Sequence, residues 1–192
     1  MARPRGDHES RRRLVVQATC RLIARHGVEG ATVRAVAREL GVATKAVTRY
    51  FLSKDEMLVL ALDHVIAEQM ALSTTAGSLA AKLSAALPTT QRVRNGWRIW
   101  VAFLGEAVGN PALQQQHRRR YARLRHRMLG ELRRQALAGA ITKAAATPVV
   151  ADQLLALIDG IGMREAVNPG SIPARRQREM VDRSVHRLVG GR

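Results

Sequence analysis

The chain has 192 residues, 46% of them hydrophobic, and a formal net charge of +17 from 32 Lys and Arg against 15 Asp and Glu. That apolar share is enough for a real core, no apolar run reaches the ~18–20 residues of a membrane span, and the single cysteine, Cys20, excludes an internal disulfide framework. No apolar signal-peptide segment follows the basic N-terminus, so a cytoplasmic protein with no membrane contact and a polyanionic partner is expected. The charge is zoned. Residues 1–54 carry 12 basic and four acidic side chains, residues 55–110 four and five, residues 111–147 nine and one, and residues 148–192 seven and five.

No segment collects the Val, Ile, Thr and aromatic residues of a strand, so the fold class expected is all-α. Residues 1–9 read as a flexible basic tail. From Ser10 a helical period runs through Leu14, Ala18 and Leu22 to Gly27, a good left-handed stop. Thr32 can cap a short helix from Val33 to Leu40, which Gly41 ends, and a third helix covers roughly Thr44 to Phe51. Ser53 to Glu56 is a capping box that opens a longer helix to about Leu72. After a polar break, helices run from Leu79 to Leu87, from about Thr90 to Val108, and from Asn110-Pro111 to about Ala140. Thr147-Pro148 opens another to Val167, and Pro173 opens the last, to about Val189. These make nine helices, divided into a head over residues 10–55 and a body over residues 56–192.

Thr32 to Phe51 carries the main functional signal. A helix-turn-helix needs a small residue where its two helices cross, met by Ala37. It needs a residue tolerant of positive φ four positions later, met by Gly41, and an aliphatic residue six positions further, met by Val47. Val36, Leu40 and Val42 supply buried faces around these points. In this geometry the second helix enters the major groove with its N-terminal residues near base edges, so Ala43, Thr44, Lys45 and Thr48 face DNA. Lys45 suits guanine O6 or N7, and Thr44 a thymine methyl or a base edge. Arg49, Tyr50 and Lys54 are placed for phosphate, Thr32 caps a helix end that can hold one, and Arg34 can reach either.

The run from Val15 to Leu58 resembles the N-terminal domain of the tetracycline-repressor (TetR) family. The matching marks are Arg25-His26-Gly27, Ala31-Thr32-Val33, the Ala37 to Val42 turn, Tyr50-Phe51 and Ser53-Lys54-Asp55-Glu56. The resemblance implies a homodimer of nine-helix subunits, a three-helix head and a helical ligand-binding and dimerisation body, acting as a repressor that a small ligand releases. The recognition helix departs from the usual run at Ala43, Lys45, Ala46 and Thr48. Without a Ser at position 43, Thr44 becomes the expected cap. The final 45 residues are similar to the BetI-like subgroup, typified by a choline-responsive repressor. In the family the last two helices pair across a two-fold axis, which implies that Leu154, Leu157, Ile158, Ile161, Val181, Val185 and Leu188 form the dimer interface, with Gly160 and Gly162 allowing close approach; the alternative is that both stripes face their own subunit's core.

Four of six aromatics, Trp97, Trp100, Phe103 and Tyr121, fall on the two central body helices, and with Leu104 they form the candidate wall of an effector pocket. Glu106 is the nearest acid in sequence. Arg118-Arg119-Arg120 and the arginines after them read as solvated, partly core-covering stems, with non-specific attraction to DNA as the alternative. The histidines lack metal-ligand spacing, and no phosphate-binding glycine loop or nucleophile elbow is present, so no metal, cofactor or enzyme activity is expected. The leading reading is a sequence-specific repressor on a palindromic double-stranded operator, released by a small-molecule effector. The alternatives are a non-specific architectural DNA-binding protein, or a small all-α ligand-binding protein or enzyme.

Overall fold

A computed structural model describes residues 5–51, 53–74 and 77–190. Among these residues there are nine α-helices and no strand: α1 (Arg5–Gly30), α2 (Val33–Leu40), α3 (Thr44–Val47), α4 (Lys54–Thr74), α5 (Leu79–Ser84), α6 (Gln91–Val108), α7 (Pro111–Leu137), α8 (Pro148–Val167) and α9 (Ala174–Val189), with a single 3-10 turn at Lys143–Ala145. The all-α expectation holds. Among the described residues, no helix is long and apolar enough to cross a membrane.

The helix starts follow side-chain chemistry. Each helix leaves its first N–H groups without intrahelical acceptors, and a short oxygen-bearing side chain at the cap supplies one. Thr32 Oγ1 accepts from Ala35 N–H at 3.1 Å, Ser53 Oγ from Glu56 N–H at 3.1 Å, and Thr147 Oγ1 from Val150 N–H at 3.3 Å. Asn110 Oδ1 accepts from both Ala112 and Leu113, at 3.0 and 3.2 Å, ahead of Pro111, which has no N–H to satisfy.

Several boundaries differ from the expectation. Helix α1 begins at Arg5, so helical structure starts inside the segment read as a tail; residues 1–4 lie outside the described residues. Its regular course breaks at Gly27, where φ is +70°, as expected. Helix α3 is only four residues long, and its cap is Ala43, which gives no side-chain hydrogen bond; Thr44 is the first helical residue and not the cap. Pro173 is the cap of α9 and stands outside it.

Two buried clusters fill the protein. The first runs without a break from the head into the body: Val15, Leu22, Val36, Val47, Phe51, Leu58 and Leu62 continue into Ile99, Trp100, Phe103 and Leu113. The second is assembled by α5, α7, α8 and α9 around Leu79, Leu132, Leu154, Ile161 and Val181. Helix α6 packs on α1, α4, α7 and α8 and so joins the two.

The α8–α9 turn is held by a buried acid. Glu165, 4% exposed, accepts from Gly170 N–H (3.0 Å), Ser171 Oγ (2.9 Å) and Ile172 N–H (2.6 Å). Burial by itself raises the Glu165 pKa; the Gly170, Ile172 and Ser171 hydrogen bonds, with Arg164 nearby, outweigh it and hold the group below its ordinary value. A carboxylate whose folded pKa is depressed adds stability above its unfolded pKa of about 4.3, and that stability disappears as pH falls through the folded value. Glu165→Ala is therefore expected to cost about 3 kcal/mol in urea unfolding at pH 7, with the gap to wild type narrowing below pH 4. A gap that does not depend on pH would show that the side chain acts by packing alone.

Candidate nucleic-acid interface and effector cavity

In the head, the turn between α2 and α3 is closed by Gly41 at φ +65°, a conformation that costs a side-chain-bearing residue about 1–2 kcal/mol. Val42 N–H then donates to Ala37 O at 3.0 Å, which brings α3 across α2 at its smallest residue. Ala37, Val36 and Val47 are 3%, 0% and 0% exposed and face the head core. With Val47 turned inward, the opposite side of the motif faces solvent: Ala43, Thr44, Lys45, Ala46, Thr48 and Arg49 are exposed, as are Thr32 and Arg34 at the start of α2, and Tyr50 is half-buried.

The residues expected to face DNA are thus exposed or half-buried, with two qualifications. The Thr48 hydroxyl donates to Lys45 O at 3.1 Å, so it is occupied by its own helix. Lys54 does not project freely. Its ammonium pairs with Glu29 of the head and, at 3.4 Å, with Glu106 of α6. Beside it Asn110 Nδ2 donates to Asp55 Oδ2 at 2.7 Å. The corner between α6 and α7 therefore grips the first turn of α4.

In the body, a cavity of about 350 Å³ opens between α4, α5, α6, α7 and α8. Val65, Ile66 and Met70 of α4, Leu79 and Leu83 of α5, Trp97 and Trp100 of α6, Leu124 and Met128 of α7, and Ile158 of α8 make the wall largely apolar. Trp97 is fixed by donating from Nε1 to Ala86 O at 2.8 Å. The polar groups on the wall are mostly paired with protein. Lys82 and Glu131 are bonded at 2.9 Å; burial opposes the Glu131 charge, but Arg134, Gln135 and Lys82 outweigh it and bring its pKa down to about 2. Gln69 donates to Ala85 O. Asp159 accepts from Tyr121 Oη at 2.9 Å through one carboxylate oxygen; burial raises its pKa and that hydrogen bond lowers it in part.

Of the five residues expected on the pocket wall, only Trp97 and Trp100 line the cavity. Phe103 is 0% exposed and belongs to the cluster shared with the head, where Leu104 packs beside it. Tyr121 stands behind the wall, stacked on His117 at 5.5 Å, and His117 in turn lies 5.6 Å from the Trp100 ring. Glu106 faces Lys54 and not the cavity. The polar residues that sequence reasoning missed are Asp159, Gln69, Ser73, the Lys82–Glu131 pair and Arg127, which reaches the cavity beside Met70. One signal was available, because Asp159 interrupts the apolar run from Leu154 to Ile161.

Residues 76–190 match the family described as the BetI-type transcriptional repressor, C-terminal, and residues 15–61 match that of bacterial regulatory proteins, tetR family. The chain belongs to the TetR family of transcriptional regulators. Its head is the family's helix-turn-helix DNA-binding domain and its body the BetI-type ligand-binding domain, and the family is one of regulators and not of enzymes. This TetR-family chain is similar to the HTH-type transcriptional regulator BetI of Burkholderia cenocepacia (strain HI2424), 29% identical over 179 residues that cover 88% of this chain and 89% of the relative. Its fold is similar to that of a transcriptional regulator from Rhodococcus sp. RHA1 (TM-score 0.79, 25% identity, 94% of this chain and 98% of the other). It is also similar to that of a transcriptional regulator from Saccharomonospora viridis in complex with choline (TM-score 0.79, 23% identity, 96% and 100%).

In this TetR-family chain the two apolar stripes expected at the dimer interface mostly face inward. Leu154, Ile158, Ile161, Val181 and Val185 are 0–9% exposed in the single subunit and form its second buried cluster. Only Leu157 and Leu188 reach the surface, both half-buried. The physical reason is that α8 and α9 must first close the cavity and cover α5 and α7, and the largest side chains serve that purpose. Gly162 is likewise an internal device. A methyl group there would overlap the Trp97 indole, so the glycine seats the ring of the same subunit. Gly162→Ala is expected to drive the Trp97 ring toward the cavity at a cost of about 1–3 kcal/mol, read as a shift in Trp fluorescence and a lower unfolding midpoint. Unchanged emission with unchanged stability would mean that the ring tolerates the methyl group.

Proposed function

We propose that this regulator binds a palindromic operator as a homodimer, represses transcription there, and is released by a small organic cation that enters the body cavity. The observation that carries the reading is the course of α4. Its first turn is clamped beside the exposed α2–α3 surface, and Val65, Ile66, Gln69 and Met70 further along it line the cavity. A ligand that prefers a different setting of α4 therefore acts on the head, and a ligand with no such preference shifts nothing however tightly it binds.

The strengths of the contacts along α4 suggest how it moves. Midway, Arg120, 5% exposed, donates to Asp63 from Nε and Nη2 at 2.8 and 2.7 Å and to Gln116 from Nη1. A bidentate pair on a buried guanidinium is a firm attachment, although Asp63 itself is 48% exposed. The Lys54 pairs at the head end are partly exposed and contribute at most about 1 kcal/mol. Coupling of the usual ~1–3 kcal/mol can break the second attachment and not the first, so α4 pivots near Asp63 and swings at Lys54. In DNA-bound dimers this swing sets the spacing of two α3 helices, about 34–36 Å for half-sites one turn apart.

The surface left for a second subunit is the outer stripe of α8. Val149, Gln153, Ala156, Gly160, Met163 and Val167 recur at helical spacing and are all exposed, with Val149 and Val167 at 64% and 74%. Small residues at its centre allow close helix crossing, and Leu157 and Leu188 border it. Ala156→Glu with Gly160→Glu adds charge where a two-fold axis would bring two copies together, and open space surrounds Gly160 in the single subunit. The expected product is a folded monomer by sedimentation that no longer binds a palindrome. A dimer of unchanged stability would place the interface elsewhere.

The effector class is read from two indoles and the half-buried Asp159 carboxylate on the same wall, where Glu131 is already paired with Lys82. Ring faces attract cations, and Asp159 supplies an opposite charge in an apolar setting. The similar Saccharomonospora viridis protein, crystallised with choline, supports the same class. Asp159→Asn is expected to keep operator affinity and to raise the choline concentration needed for release by about tenfold or more, the loss of one opposite charge near the cation. An unchanged midpoint in fluorescence anisotropy would reject a cationic effector held by Asp159.

A further inference from the structure

The head carries a basic element that the helix-turn-helix does not use. Helix α1 starts at Arg5, ten residues before the segment matched to the tetR family begins. Residues 8–13 read His-Glu-Ser-Arg-Arg-Arg. Arg12 lies one helical turn beyond His8 on the same face, and that face continues into Val15 and Thr19, which are buried in the head. The His8 ring sits 5.3 Å from the ring of Tyr50, at the end of the reading segment. This packing ties the first turns of α1 to the DNA-facing surface, and Arg12 rises beside it. Arg12 is half-exposed and Arg13 exposed, and neither has an ionic partner among the described residues. Two cations without an ionic partner among the described residues, next to a DNA-reading face, are complementary to the phosphates beside the bases being read.

We propose that residues 8–13 of α1 form a second DNA-contacting element, in which Arg12 and Arg13 hold backbone phosphates flanking each half-site and His8 is the positioning residue that packs, tilted, against the Tyr50 ring. This rests on the reading of α2–α3 as the base-reading surface. The element carries no sequence information. It lengthens the bound site and steepens the salt dependence.

The test uses the full chain and an operator selected from random duplexes, in two lengths: the half-sites alone, and the half-sites with about six further base pairs on each side. Wild type should bind the longer duplex more tightly. Arg12→Gln with Arg13→Gln should bind both lengths alike, with the slope of log K against log salt shallower by roughly 0.9 for each phosphate no longer neutralised. His8→Ala should likewise abolish the length preference without changing a guanidinium, and His8→Phe should restore it by keeping the ring against Tyr50. Lys45→Ala should lose preference for the operator over random DNA while keeping the length preference. The element is refuted if wild type binds both lengths equally, or if the arginine variant keeps the wild-type length preference and salt slope. A wild type without preference for any sequence, yet favouring long duplexes, would instead refute the base-reading role of α2–α3.

Discussion

The structure depends first on the burial of α6. Its Val93, Gly96, Ile99, Trp100, Phe103 and Ala107 are removed from solvent by four neighbouring helices. Because α6 packs on α1 as well as on the body, the apolar cluster of the head continues into the body, and Arg98 adds a polar tie to Ala24 O of α1 at 3.3 Å. Protein interiors are packed too densely to deform smoothly, so a change at one end of such a core is expressed as a shift of whole helices. A head joined to its body by a flexible linker would not feel the contents of a distant cavity.

The same helix explains how a wall suited to a ligand is compatible with a stable fold. Trp97 rests on a glycine and is held by a backbone carbonyl, and Trp100 is backed by His117 and Tyr121. These rings need no ligand to hold their positions. Behind Trp100, burial lowers the His117 pKa, which favours a neutral ring in the stack. Pre-set walls spare a ligand the cost of ordering them on binding. Charge is treated in the same way: Lys82 neutralises Glu131 within the wall, while Tyr121 meets only one oxygen of Asp159.

Much of the fold was legible in the sequence because its signals are local. Thr32, Ser53, Asn110 and Thr147 cap the helices they precede, since a cap needs only the N–H groups two or three residues ahead. Ala37, Gly41 and Val47 sit where the turn requires them, and the surface they leave exposed is the one assigned to DNA. Helical periodicity also located the apolar stripes of α8 and α9.

The sequence by itself determined which faces of the helices are apolar, where the side-chain-capped helices begin and that the chain presents a basic reading head. Only the tertiary structure decided what each face meets. Leu154, Ile161 and Val181 suit a partner subunit or the interior equally well by pattern, and the need to cover α5 and α7 turned them inward. Phe103 and Tyr121 share the helices of the cavity wall but not the cavity, and Lys54 is drawn toward Glu29 and Glu106, 25 residues before it and 52 after it. Periodicity specifies a direction around one helix axis, whereas a cavity, an interface or an ion pair depends on how several axes cross, and that is set by packing among residues far apart in the chain.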